Sequence, residues 1–527
     1  TCGISKRIEK RRSEMPLEFD FDKRPLCIIG LIFLFAVSLR IGFIFFVSGP
    51  EYVGWYQDSF HHWQIAYYTL HVGLAQNPPR MWDLGGMEYF WGVLPTLIES
   101  FLLWISNSSS IVPFRIFNSV SGSLSACLIY SLVKKYFGGK KAIIASILAA
   151  LSPTLIEVDT SGMLDPIGVT FLFAALLFYD RKPLLCGVLA GLASLTHIEF
   201  WFLALAICGC YAIFEKSGIK FIPSLFGWLL VMTPYFYFMQ TMTGDPLYAL
   251  RWNFLGNVAG QWVRTVPVPI QAQILARGVA VIGLFSSLTL ILYLLKRRPS
   301  SYIVHTFFFT YLAMKGSILG LTAYILPYIA MNQIGRLLID RLFALNHYYV
   351  LILGALAIWW LPKKLELRGV ISGKMSQNTI RRILVATVLL ANVLTLPYIG
   401  YEYFNRVYRE PYEGQSHLAD AIVSNYHGGT VVSSLVIVNY RLINRGIHYE
   451  NVVGSIYCPR NNQTEAYRWL IRHNVTWIVL DENIVECFPA FKEGYPGENH
   501  PPFYRSKESI VIYFVNQTEL ASLLTGG

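Results

Sequence analysis

Acids, imidazoles and indoles crowd into one stretch of this chain. Residues 55–63 read Trp-Tyr-Gln-Asp58-Ser-Phe-His61-His62-Trp63, and residues 78–88 add Arg80, Trp82, Asp83 and Glu88. A carboxylate followed closely by two imidazoles offers a general base with hydrogen-bond donors beside it. His61, His62, Trp82, Asp83 and Glu88 supply the polar groups and ring faces that would hold a substrate head group. The stretch starts just past an apolar run, so its chemistry would operate at a water–lipid boundary. The competing reading of the same residues is a solvated loop with an aromatic interface belt.

The elements that must position these groups are membrane spans. Of 527 residues 54% are hydrophobic and 14% charged, with a mean hydropathy of +0.45; a water-soluble chain carries about a quarter charged residues. The net charge of +11 does not indicate a nucleic-acid face, because the basic residues fall in short clusters between apolar runs. These clusters are Lys6-Arg7 with Lys10 to Arg12, Lys134-Lys135 with Lys140-Lys141, Arg181-Lys182, Lys296 to Arg298, Lys363-Lys364 and Arg381-Arg382. That is the distribution of cytoplasmic loops.

Apolar segments at Leu26–Val47 and at about 113–133, 142–157, 165–180, 183–197, 199–214, 220–240, 276–295, 302–318, 343–361 and 380–400 give eleven spans. Segments 91–106 and 319–333 read as re-entrant or interfacial, which brackets the count at about 11–13. The fold expected is a polytopic α-helical membrane protein with a C-terminal soluble α/β domain. Residues 1–25 form a cytoplasmic basic tail running into a signal anchor. Residues 26–400 form the membrane body with outside loops at 48–90 and 241–275, and residues 401–527 the extracytoplasmic domain.

In that last region, 429–433, 451–457, 475–480 and 509–514 read as strands and 464–473 as a helix, which predicts a small, largely parallel sheet. An outside location would allow a disulfide between Cys458 and Cys487. The sequons at Asn107, Asn462, Asn474 and Asn516 are compatible with the same side. In the outside loop after residue 240, Asp245 before Pro246 reads as a turn.

With these elements in place, the sequence resembles the GT-C superfamily of polyprenyl-phosphate-sugar-dependent glycosyltransferases, which includes protein O-mannosyltransferases, aminoarabinose transferases and oligosaccharyltransferases. Members carry an acid in the first outside loop, and Asp58 in Gln-Asp-Ser-Phe-His-His occupies that place. Ser161-Gly-Met-Leu-Asp165-Pro-Ile is similar to the Leu-Asp-Pro that opens a span at the outer surface, with Glu157 and Asp159 just upstream. By topology these acids face the same side as Asp58 and would orient sugar or acceptor, or share a divalent cation; alternatively Asp165 caps a helix. Gly187 to His197 resembles a Gly-Leu-Ala-x-Leu-Thr-Lys segment with histidine in place of lysine. Pro113-Phe-Arg115 resembles the entry to the second span, and Arg336 and Arg341 resemble an arginine that opens a later helix.

The resemblance implies Asp58 and Asp165 as catalytic acids, and Arg115, His197, Arg336 and Arg341 around the donor phosphate. The alternative for each arginine is snorkelling to the interface. The implied partners are a polyprenyl-phosphate-linked sugar, a glycan, lipid or protein acceptor, and membrane lipid. An oligosaccharyltransferase-like enzyme is the nearest rival, but no Trp-Trp-Asp follows Tyr401. A transporter or assembly subunit is the rival from another class, and it would lack convergence of Asp58, Asp165 and the arginines on one outside cavity.

Overall fold

The computed structural model describes residues 25–53, 58–73, 91–213, 215–253, parts of 351–362, 376–399, 409–454, 462–481, 504–505 and 510–525, with Phe488 and Phe491. Helix α1 spans Pro25–Gly42 and runs on as a π-helical turn, Phe43–Ser48. Its outward side chains are apolar and bare, Phe46 reaching 90% exposure, as expected of a surface that faces lipid.

Helix α2 is Asp58–His71, α3 Val93–Ser106 and α4 Val112–Phe137, the last opened by Pro113 in its first turn. Helices α5 (Gly139–Leu151) and α6 (Pro153–Thr160) meet at a 59° bend. Pro153 cannot donate to the preceding turn, which is why the predicted span 142–157 breaks at Ser152. Then come α7 (Asp165–Phe178), α8 (Pro183–Ser194), α9 (Glu199–Ile213), α10 (Gly218–Thr243) and α11 (Tyr248–Asn253). After residue 376 lies α12, Gln377–Ile399.

Among the described residues three helices are long and apolar enough to cross a membrane, Leu26–Ser48, Val112–Phe137 and Gly218–Thr243, and the bent pair α5–α6 makes a fourth. Segments α3, α7, α8 and α9 are shorter apolar helices. The expected spans from 276 to 318 and the segment 319–333 lie outside the described residues.

Small residues set the distance between helices. A Cβ on Gly187 would overlap the Ser224 carbonyl, one on Gly227 the Leu184 carbonyl, and one on Gly191 would press on Val231. Helices α8 and α10 therefore pack backbone to backbone, the arrangement that favours association where lipid removes the hydrophobic drive.

The C-terminal region holds α13 (Arg409–Ser424), β1 (Thr430–Val432), α14 (Val436–Asn444), β2 (Val452–Val453), α15 (Gln463–Arg472), β3 (Val475–Leu480), β4 (Tyr504–Arg505), β5 (Val511–Phe514) and α16 (Gln517–Thr525). The sheet order is β2-β1-β3-β5-β4. Strand β1 runs parallel to β2 and β3, whereas β5 is antiparallel to both β3 and β4. The sheet is thus mixed rather than largely parallel. Only β4 escapes the sequence, because it is two residues long and carries no alternating pattern, while the direction of β5 is not a property of its own residues.

One face of this sheet, with Val432, Val453, Ile478 and Tyr513, packs under α15 and α16. The other face, with Val431, Trp477 and Ile512, shares its core with α13, α14 and helix α2. Phe60 of α2 lies 4.7 Å from the Tyr440 ring and 6.2 Å from Tyr412. Glu51 ties the seam: its carboxylate accepts from Ser110 Oγ at 2.7 Å and from the Tyr440 hydroxyl, and its carbonyl accepts from Tyr412 Oη at 2.9 Å. The element that carries Asp58 is therefore wedged between the helical bundle and the C-terminal region.

Candidate functional site

Asp58 is the first residue of α2, where the helix dipole favours a negative charge. The helix is held along its length: Trp63 Nε1 donates to Ser109 O at 2.8 Å, and Ser100 Oγ of α3 donates to Ala66 O at 2.8 Å. Its N-terminus faces the turn that links α6 to α7. Gly162 in that turn adopts φ +83°, and a Cβ there would stand 3.5 Å from Ser59 Cβ and 3.6 Å from Arg115 Cγ. The neighbour of the proposed base thus touches the turn that leads into Asp165.

Asp165 opens α7 as its first helical residue, with Leu164 at the N-cap and Pro166 in the first turn. Its carboxylate stands in the favourable end of the helix dipole without being the cap itself. One turn further on, a Cβ at Gly168 would overlap Thr196 Oγ1 and Phe200. This close approach brings the loop carrying His197 against α7. His197 is half-buried, and its Nδ1 accepts from the Glu199 N–H at 3.5 Å.

The same loop is reached from α3. Leu94 N donates to Leu195 O at 3.1 Å, and Gly92 lies so close that a Cβ would overlap the Leu195 and Thr196 carbonyls. Next to Gly92, Trp91 stacks at 6.2 Å on His61 and meets His62 edge-on at 4.5 Å. Helix α2 therefore meets the 160–165 turn beside Ser59, its His61 and His62 pack on Trp91, and Gly92 next to Trp91 meets the loop that carries His197. Sequence reading missed Trp91, whose signal was its place at the mouth of an apolar segment read as re-entrant.

His61 Nδ1 is buried with no hydrogen-bond partner among the described residues. Burial holds its imidazole below the ordinary value of 6.5, against the opposing pull of the Asp58 carboxylate and a hydrogen bond with Gln64. The ring is neutral near pH 7. Because the unfolded chain binds this proton more readily than the folded one, acid favours unfolding once the pH falls below 6.5. Melting of the purified protein between pH 7.5 and 5 should show a steeper acid loss for wild type than for His61→Gln. Parallel curves would mean that the ring gains a proton without cost.

Two of the predicted substrate residues are engaged elsewhere. Asp159 is buried and pairs with Arg40 of α1, its Oδ2 taking Nε at 2.8 Å and Nη2 at 2.7 Å. Arg115 is buried at the head of α4 and makes four hydrogen bonds inside the protein: to Thr160 O (2.6 Å), Gly49 O (2.7 Å), Pro50 O (2.6 Å) and Ser48 Oγ (3.0 Å). Both side chains are buried among protein partners. Arg40 was not singled out, although a lone arginine inside an apolar run demands a buried partner. Asp245 bears out its turn, accepting from Leu247 N at 2.9 Å.

Trp82, Asp83, Glu88, Arg336 and Arg341 lie outside the described residues, as do the remainder of the loop 254–275 and Cys458 and Cys487. Among the described residues no three His, Cys, Asp or Glu side chains group as metal ligands.

Residues 93–239 match the family model of dolichyl-phosphate-mannose-protein mannosyltransferases. A comparison with curated proteins gives no match. Among solved structures, the chain is similar to an Archaeoglobus fulgidus oligosaccharyltransferase tethered to an acceptor peptide with an NVT sequon, at 15% identity over 95% of this chain and 75% of that one, TM-score 0.46. It is also similar to ArnT from Cupriavidus metallidurans bound to undecaprenyl phosphate, at 11% identity over 94% and 98%, TM-score 0.46. At these scores neither likeness adds weight to the fold. The family match spans Arg115, Asp159, Asp165 and His197.

Proposed function

We propose that this membrane protein transfers a sugar from a polyprenyl-phosphate carrier to an acceptor hydroxyl on the extracytoplasmic side, with inversion at the anomeric carbon. The observation that carries this reading is the packing of the helix that bears Asp58 and His61 against the 160–165 turn and, through Trp91 and Gly92, against the loop of His197. The family match over 93–239 covers the second of these clusters.

In this scheme Asp58 accepts the proton of the acceptor hydroxyl as that oxygen attacks the sugar. The unpartnered Nδ1 of neutral His61 takes or gives a hydrogen bond to a sugar or acceptor hydroxyl, and Asp165 orients the sugar from the opposite wall. The phosphate leaves with the bonding pair, its charge met by His197 together with Arg336 and Arg341. Arg115 and Asp159 are withdrawn from the substrate and support the site from behind. The carrier's tail stays in lipid between helices.

The tail 1–25 is cytoplasmic, 26–400 form the membrane body, and 401–527 an extracytoplasmic domain. Shared packing of that domain with α2 supports placing it on the side of Asp58. Trp82, Asp83 and Glu88 complete the acceptor side of the same loop.

The test is transfer from a panel of polyprenyl-phosphate sugars to glycan, lipid and peptide acceptors by the purified protein, with anomeric configuration followed by NMR. Turnover with inversion is expected. Transfer with retention, or none from any polyprenyl-phosphate donor, would overturn the proposal.

A further inference from the structure

The most enclosed ion pair among the described residues is that of Arg40 and Asp159, 0% and 3% exposed at the side chain. A buried pair of this kind returns little net stability, since an apolar pair of equal volume usually holds a core as well. Its geometry is more telling than its energy. Arg40 reaches Asp159 with two nitrogens and places Nη1 3.2 Å from Ala36 O and 3.4 Å from Ala150 O. Ala150 belongs to the last turn of α5, Asp159 to the last turn of α6, and between them lies the 59° break at Ser152–Pro153.

Helix α6 has only eight residues, so the break would be a hinge unless something fixed its far end. Gly122 of α4 leaves the space for this anchor, because a Cβ there would overlap the Asp159 carboxyl. The next residue, Thr160, is the one whose carbonyl Arg115 holds. Asp165 follows five positions later, close enough for its charge to act on Asp159.

We propose that Arg40 and Asp159 are a positioning pair: by locking the end of α6 to α1, they hold the 160–165 turn, and with it Asp165, in register with the helix that begins at Asp58. This rests on the reading in which Asp165 faces the sugar. Arg40 lies in the same continuous helical run that delivers the chain into the loop of Asp58, so one side chain sets the relation between the two acid-bearing segments.

The test compares wild type with the double variant Arg40→Met/Asp159→Asn, which removes both charges with little change in volume, and with the conservative Arg40→Lys. Hydrogen exchange of the detergent-purified proteins is the first measurement. The double variant should melt near wild type while amides 160–165 exchange at least tenfold faster and those of α4 do not. Unchanged exchange at 160–165 would overturn the proposal. If the double variant does not accumulate, Arg40→Lys decides, with faster exchange confined to the same turn expected and wild-type exchange overturning it.

Where wild type transfers sugar, kcat of the double variant should fall about tenfold to a hundredfold, the cost of a misplaced group. KM for the donor should stay within about twofold, and Arg40→Lys should recover part of kcat. Full kcat in the double variant would reduce the pair to a structural ion pair. If wild type transfers nothing, the proposed function falls, and the exchange result alone decides the positioning role.

Discussion

Asp58→Asn will lower sugar transfer by about 10²- to 10⁴-fold, the range associated with loss of a general base, while leaving the protein as easily purified as wild type. The two effects separate because of where the residue stands. At the first position of α2 an asparagine keeps the size and an accepting oxygen, and the charge–dipole contribution it loses is about 0.3–1 kcal/mol. The helix itself is retained by Trp63, by the Ala66–Ser100 hydrogen bond and by Phe60 packed against Tyr440. The loss should therefore appear in kcat, with donor KM little changed, since the carboxylate acts on the acceptor proton and not on the carrier phosphate. Comparable kcat in both proteins would remove Asp58 from the role of base and leave His61 or Asp165 to fill it.

What the sequence made legible follows from how local each signal is. The first span, the helix opened by Pro113 and the run into α10 were readable because apolar length and a proline at the first turn are properties of consecutive residues. Strands β1, β3 and β5 were readable for the same reason. Asp58 and Asp165 could be singled out by their chemistry and by their positions beside apolar runs.

The partners of the charged residues could not be read in this way. Asp159 finds Arg40 from 119 positions away, and Glu51 finds Tyr440 from 389. Such pairings depend on helix rotation and crossing, and in a membrane body those are set by glycines such as Gly122 and Gly168 whose contacts lie on other helices. Sequence spacing therefore exposed the carboxylates and arginines but did not show whether each faces the substrate or the interior. Arg115 and Asp159 are buried against other helices, which leaves the proposed site to acids and imidazoles on loops and helix starts. Rigid elements behind, reactive groups at their ends, is the division of labour expected where a scaffold must resist motion while its rim binds.

Arg115→Ala separates these two faces most sharply. A guanidinium that held a donor phosphate would be dispensable for folding, and its loss would weaken donor binding in a protein of normal stability. The hydrogen bonds of Arg115 give the opposite expectation. Alanine would leave the Thr160, Gly49 and Pro50 carbonyls without this donor, at about 1–3 kcal/mol for each that stays buried and unpaired. It would also open the space between the end of α1, the 160–165 turn and α4. Several kcal/mol is a large share of the 5–15 kcal/mol by which folded proteins are ordinarily stable. We therefore expect low yield and a strongly lowered melting temperature in detergent, with Arg115→Lys intermediate because one ammonium cannot span the same acceptors. The measurement is melting of the two variants and wild type, with binding of undecaprenyl phosphate determined on whatever folds. An Arg115→Ala protein that melts with wild type yet no longer binds undecaprenyl phosphate would return the arginine to the substrate and undo the arrangement described for the back of the site.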